Sequence, residues 1–297
     1  MTEIVVLSGK GGTGKTTLLA SYAALAKNVV LADCDVDAPN LHLLLKPQVR
    51  EKGAFVGSKI AHLSGALCKN CGECVPVCRF NAIKAIGNQH LKKIAIDEGL
   101  CEGCGVCSRV CKYNAITMED RVVGEWFVSD TRFGTMVHAL LEPGAENSGK
   151  LVAFVKQKAK LEAKRLGRSI ILVDGPPGIG CPVISVLSGA DLAVLVAEPT
   201  QSGSSDFGRI AELARGFAVP AVLIINRYDL NESMTETIEL QAKEAGIVPL
   251  GRIPHDEAVV NAMADGKTVM ESGDGKAARA IEQTWEAVLL ASGGAVG

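Results

Sequence analysis

Six apolar runs separated by stretches of helical periodicity predict an α/β fold built on a doubly wound, mostly parallel sheet. Two further observations shape it: a glycine-rich turn joins the first run to the first helical stretch, and a cysteine-rich repeat interrupts the alternation. The runs are Ile4 to Leu7, Val29 to Asp33, Ile170 to Asp174, Leu192 to Ala197, Ala221 to Ile225 and Val248 to Ile253. Most are continuous, as expected of strands covered on both faces. Helical patterns cover Lys15 to Ala26, Lys150 to Leu166, Ser204 to Gly216 and Thr235 to Ala245. In such a sheet, ligands gather at the carboxyl ends of the strands. The expected organisation is a first part at 1–61, an inserted domain at 62–119 and a second part at 120–297.

Composition narrows the class. A chain of 297 residues, 47% of them hydrophobic, can bury a sizeable core. Its formal net charge of -2 gives no global reason to expect nucleic acid or an anionic membrane as partner. Glu3 stands where a secretory signal would be basic, the first apolar run stops at Leu7, and no uncharged apolar stretch reaches about 18 residues. A cytoplasmic location is expected. Of the ten cysteines, eight fall in two tight clusters, which in a reducing compartment points to metal binding and not to disulfides.

The segment Gly9-Lys10-Gly11-Gly12-Thr13-Gly14-Lys15-Thr16, followed by Thr17, sits between an expected strand and an expected helix. In that context glycines let backbone N–H groups wrap phosphate oxygens, Lys15 reaches the β- and γ-phosphates, and the Thr16 hydroxyl ligates magnesium. The early second lysine, Lys10, resembles the deviant P-loop of the MinD/ParA ATPases, a branch of the SIMIBI P-loop NTPases. The resemblance implies ATP and Mg2+ as ligands and an ATP-dependent dimer, with itself or with a paralogue, in which Lys10 reaches the partner's nucleotide. Two segments match the same family in order. Leu31-Ala32-Asp33-Cys34-Asp35-Val36-Asp37-Ala38-Pro39 is similar to its switch I, where Asp35 would position the attacking water. Val173-Asp174-Gly175-Pro176-Pro177-Gly178 is similar to its Walker B and switch II, with Asp174 near magnesium. Asp33 suits a turn or cap equally well, and Asp37 is expected in solvent. Asn226 stands where the family places an adenine-contacting residue, and the run from Ile253 through Pro254 to Glu257 resembles its base-flanking loop; an Asn ending a strand is also an ordinary turn residue.

Within the interruption, CKNCGECVPVCRFNAI at 68–83 recurs 33 residues later as CEGCGVCSRVCKYNAI at 101–116, an internal duplication. Each copy spaces its cysteines by two, two and three residues, the spacing of bacterial two-cluster ferredoxins, whose fourth cysteine ligates the other copy's cluster. An inserted ferredoxin-like α+β domain with two [4Fe-4S] clusters is thus expected. Cys68, Cys71, Cys74 and Cys111 are assigned to one, and Cys101, Cys104, Cys107 and Cys78 to the other. Paired CxxC motifs also hold zinc. Arg79 and Lys112 replace the proline usual after the fourth cysteine, and Phe80 and Tyr113 are expected near the clusters.

The whole chain resembles MinD-superfamily ATPases carrying a ferredoxin insert. This implies an ATP-gated switch for electron transfer or metallocluster handling with a redox or metallocluster partner, in the manner of the nitrogenase iron protein. An iron-sulphur assembly scaffold and a spatial-positioning ATPase are the alternatives. Related carriers use a C-terminal CxxC, whereas no cysteine follows Cys181 here, and the stretch from Ala277 to Leu290 is poor in basic residues. Cys181 is expected to be a buried or capping thiol, with a bridging metal role as the other reading. The basic run Lys156, Lys158, Lys160, Lys164, Arg165 and Arg168 is expected to be a solvated helix face, with docking of an acidic partner as the alternative.

Overall fold

The computed structural model describes residues 1–26, 28–87, 92–144, 148–273 and 275–293. The chain forms two compact units, one of Met1–Gly53 with Glu125–Gly297 and one of Ala54–Gly124, the latter wider on both sides than 62–119. The strands are β1 (Thr2–Ser8), β2 (Val29–Asp33), β3 (Gln48–Leu63), β4 (Ile83–Ile86), β5 (Lys93–Ile96), β6 (Ile116–Thr131), β7 (Gly134–Leu141), β8 (Ile170–Pro177), β9 (Leu192–Ala197), β10 (Ala221–Asn226) and β11 (Val248–Ile253). The helices are α1 (Lys15–Ala26), α2 (Leu41–Leu45), α3 (Val106–Val110), α4 (Ser148–Leu166), α5 (Cys181–Leu187), α6 (Gln201–Gly216), α7 (Glu232–Glu244), α8 (Glu257–Ala264), α9 (Val269–Ser272) and α10 (Lys276–Ala291).

The main sheet has the order β11-β10-β9-β1-β8-β2-β7-β6-β3. Strand β1 pairs in parallel with β8 and β9, and β2 pairs in parallel with β8 and β7. The central strands are buried along their whole length, so their apolar runs are unbroken. One face packs on α1 and α10 through Leu19, Tyr22, Ile281 and Trp285; the Tyr22 and Trp285 rings lie 5.0 Å apart, and the Tyr22 hydroxyl donates to Thr284 Oγ1 at 2.9 Å.

Three strands of this sheet were absent from the sequence expectation: β3, β6 and β7. Arg50, Glu51 and Lys52 interrupt the apolar pattern of β3, which forms the sheet's edge, where one set of backbone groups has no neighbouring strand and charged side chains are favoured. β6 and β7 form a hairpin through Arg132 and Phe133. Arg132 holds that turn in place: it binds Glu271 through Nε at 2.7 Å and Nη2 at 2.9 Å, and donates to the Leu44 carbonyl.

The second unit has its own small core of Ala61, Ile83, Ile94 and Ile116 with Cys74 and Cys107, and a two-stranded antiparallel sheet of β4 and β5. The duplication read from the sequence is present in the backbone. Left-handed φ values occur in matching pairs 33 residues apart: Asn70 with Gly103, Gly72 with Gly105, and Asn81 with Asn114.

The basic run is a solvated face only in part. Lys156 is buried, its Nζ 2.6 Å from Glu3 Oε1, and it also donates to the carbonyls of Ser185, Val186 and Ser188 at the end of α5. Lys160 reaches the other Glu3 oxygen at 2.8 Å, and Lys158 pairs with Glu51 while lying over the Trp126 ring. A buried ammonium needs such partners, and α5's terminal carbonyls together with Glu3 supply them. Lys164 and Arg165 remain exposed.

Candidate nucleotide site and cysteine-lined cavities

The carboxyl ends of β1, β8, β10 and β11 surround a solvent-open cleft containing about 1770 Å³ of space. Gly11, Gly12, Gly14, Lys15, Thr16, Thr17, Asp35, Asn226 and Pro254 all line it. Lys15 is buried at the start of α1, where the P-loop opens into the helix. Gly14 has φ +90°, which favours glycine, and a Cβ there would displace the Asn226 amide, whose Nδ2 lies 2.4 Å from its position. A Cβ on Gly9 would meet the Asp206 carbonyl at 2.4 Å.

The acidic residues converge below the loop. Asp174 Oδ2 accepts from Thr16 Oγ1 at 2.7 Å, while Asp174 Oδ1 and Thr13 Oγ1 are buried with no hydrogen-bond partner. Burial pushes the Asp174 carboxyl up to about 6, against the opposing pull of the Thr16 hydrogen bond and the Lys15 charge. Burial also raises Asp33, helped by the neighbouring Asp174 charge; Asp33 accepts from the Asp35 and Leu41 backbone N–H groups, so it organises the switch I turn. Asp35 is half-buried, raised by burial and held by a hydrogen bond from Ala38 N, and Asp37 is exposed as expected. The orphaned Asp174 oxygen beside the Thr16 hydroxyl is the environment a hydrated divalent cation suits.

Lys10 Nζ donates to Ser202 Oγ of its own chain at 3.0 Å. Asn226 donates through Nδ2 to the Thr13 carbonyl at 2.8 Å, so its amide nitrogen supports the P-loop directly. Asn226→Ala is expected to lower ATP and GTP affinity together, by about fivefold, corresponding to the loss of roughly 1 kcal/mol; titration of both nucleotides checks this, and loss confined to ATP would instead mark a base-reading role. Asp256, a residue without an assigned role in the sequence, caps α8 through Ala258 N and also accepts from Ala277 N at the start of α10, and these backbone hydrogen bonds hold its carboxyl below the usual range. Its position two residues after Pro254 was the available signal.

Cys181 is exposed, contrary to the expectation of a buried thiol. The turn through Gly178, Ile179 and Gly180 brings the start of α5 to the surface, and no side chain caps that helix.

In the second unit the cysteines surround two cavities. One is lined by Cys68, Cys71, Cys74 and Cys111. The other is lined by Cys78, Cys101, Cys104 and Cys107. Each therefore takes three cysteines from one repeat and the fourth from the other. Asn70 N donates to Cys68 Sγ at 3.4 Å, Ala115 N to Cys111 Sγ at 3.3 Å, and Ala61 N to Cys101 Sγ at 3.5 Å. Phe80 lines the second cavity and Tyr113 the first. Among the described residues, no three His, Cys, Asp or Glu side chains converge on a position for a single metal ion.

Fold and P-loop together define a nucleotide-binding protein of the doubly wound α/β class. The model of the CobQ/CobB/MinD/ParA nucleotide-binding domain family (CbiA) matches residues 4–269, and the chain belongs to that family of ATPase domains. An uncharacterised protein of Methanocaldococcus jannaschii is 38% identical over 232 residues, covering 77% of this chain and 79% of the relative. The septum site-determining protein MinD of Synechocystis is 25% identical, covering 90% and 81%. Among solved structures, MinD of Pyrococcus horikoshii complexed with Mg-ADP shares the fold, with TM-score 0.59 and 18% identity over 97% of this chain and 95% of that one. The MinC:MinD cell division complex of Aquifex aeolicus contains a similar chain, with TM-score 0.57 and 20% identity over 100% and 98%. Among the described residues no helix is long and apolar enough to cross a membrane.

Proposed function

We propose that this chain is an ATP-hydrolysing, dimerising switch whose insert holds two [4Fe-4S] clusters and exchanges electrons with a partner protein in one nucleotide state. The observation that carries the reading is the division of eight cysteines between two cavities, three and one from each repeat. Four sulphurs spaced around a void suit a cuboidal cluster, whereas zinc needs four sulphurs within about 2.3 Å of one point. Such clusters, when bound, take up and release single electrons.

At the nucleotide site, Lys15 neutralises the β- and γ-phosphates, and Thr16 and Asp174 hold Mg2+, which supplies charge stabilisation on the phosphate oxygens. Asp35 orients the attacking water. Lys10 exchanges Ser202 for the nucleotide of a second copy or a paralogue, which couples hydrolysis to dimerisation. Anaerobic reconstitution of the full chain is expected to give about eight irons and a matching amount of acid-labile sulphide; stoichiometric zinc without iron would overturn the reading.

The second reading is a spatial-positioning ATPase, and the likeness to septum site-determining MinD proteins of Synechocystis and Bacillus subtilis favours it over electron transfer. Its α10 carries Lys276 and Arg279 as basic residues, both in the first turns. Co-sedimentation with anionic liposomes or DNA, dependent on ATP, would establish this reading; ATP-independent recovery in the supernatant would remove it.

A further inference from the structure

The two cysteine cavities are built from repeats that match in backbone conformation, yet they differ in charge at one equivalent position. The residue after the first cysteine is Lys69 in one repeat and Glu102 in the other. Lys69 lines the cavity of Cys68, Cys71, Cys74 and Cys111, while Glu102 lines that of Cys78, Cys101, Cys104 and Cys107. Both are exposed, and among the described residues neither is held in an ion pair. The other charged side chain on the first cavity, Glu73, is offset by Lys112 at 2.9 Å; the counterpart of Glu73 is the apolar Val106 and that of Lys112 is Arg79, which follows Cys78 of the second cavity and leaves that site one positive charge short of the first. Backbone N–H groups donate to Cys68 and Cys111 in the first and to Cys101 in the second. The exposed charges at the equivalent positions 69 and 102 are the difference that single substitutions can reverse.

We propose that Lys69 and Glu102 make the two sites unequal in reduction potential, the Lys69 site the higher, so that an electron entering the insert comes to rest beside Lys69. The proposal rests on the cluster reading above. Reduction adds one negative charge to a site, which a neighbouring ammonium stabilises and a neighbouring carboxylate opposes. In the internal step one electron leaves the reduced Glu102 site, which returns to its oxidised form, and reduces the Lys69 site; no bond or proton changes hands. The first electron comes from an external one-electron donor. The device gives the insert a direction, with entry on the Glu102 side and exit on the Lys69 side.

The test is a potentiometric titration of the anaerobic full chain with dithionite, followed by electron paramagnetic resonance. Two one-electron steps are expected, at least tenfold apart in population, which is about 59 mV. Lys69→Glu should lower the upper step and Glu102→Lys raise the lower one, and the double exchange should reverse which site fills first. Because both side chains are exposed, the separation should shrink between 50 mM and 1 M salt, where the screening length falls to about 3 Å. A single two-electron step in the parent chain, or variants that both move the same step, would overturn the proposal while about eight irons per chain left the cluster reading standing. A parent chain without iron would overturn both.

Discussion

Lys15→Ala is expected to reduce ATP turnover by at least about 100- to 1,000-fold, because a preorganised cation on the transferring phosphoryl group is lost. The structure adds a second reason. Lys15 is buried and its charge pulls both Asp174 and Asp35 downward, so its removal leaves two carboxyls, already raised by burial, with less to hold them ionised. Lys10→Ala should behave differently: its Nζ meets Ser202 on the exposed side of the loop, so nucleotide binding should persist while ATP-driven dimerisation or hydrolysis fails. Equilibrium binding and turnover measured on both variants separate the two roles. Normal turnover in Lys10→Ala would remove the cross-dimer function.

The second large effect is expected far from the nucleotide. Lys156→Met leaves Glu3 buried with the Lys160 ammonium as its remaining ion-pair partner and takes the donor away from the α5 terminal carbonyls. Breaking a buried pair in this way costs about 3–5 kcal/mol, or roughly 10 °C in Tm for a unit of this size. Thermal unfolding of Lys156→Met, of Glu3→Gln and of the double variant forms the check. The double variant should recover part of the loss, because no carboxylate is then left buried with half its partners. Since only the three-residue turn 178–180 separates α5 from the end of β8, the single variant should also loosen switch II, seen as faster amide exchange there.

Much of the nucleotide-binding unit was legible because its central strands are buried on both faces. Val29–Asp33 and Leu192–Ala197, buried throughout, have the same bounds in sequence pattern and structure. The hairpin and edge strands were not legible. In β3 the side chains from Gln48 to Gly53 are mostly exposed, so no apolar alternation marks it, and β6 is only intermittently buried. β7 did carry a signal, the buried run Thr135–Ala139, which the interruption before it obscured. Each cavity takes three cysteines that are local in sequence and a fourth from the other repeat. The environment of Lys156 is not local. Its partners lie on β1 and at the end of α5, so a periodic basic run read in isolation resembled a wet surface. Cys181 failed for the same reason in reverse, its exposure being fixed by the path of a three-residue turn.

The central claim is that one chain joins a P-loop switch to two cuboidal cluster sites with crossed ligands. Diffraction at the iron absorption edge from anaerobically grown crystals tests it most directly. The account predicts two compact anomalous peaks per chain, one enclosed by Cys68, Cys71, Cys74 and Cys111 and the other by Cys78, Cys101, Cys104 and Cys107. A peak at the zinc edge in either cavity, or ligands drawn from one repeat alone, would contradict it.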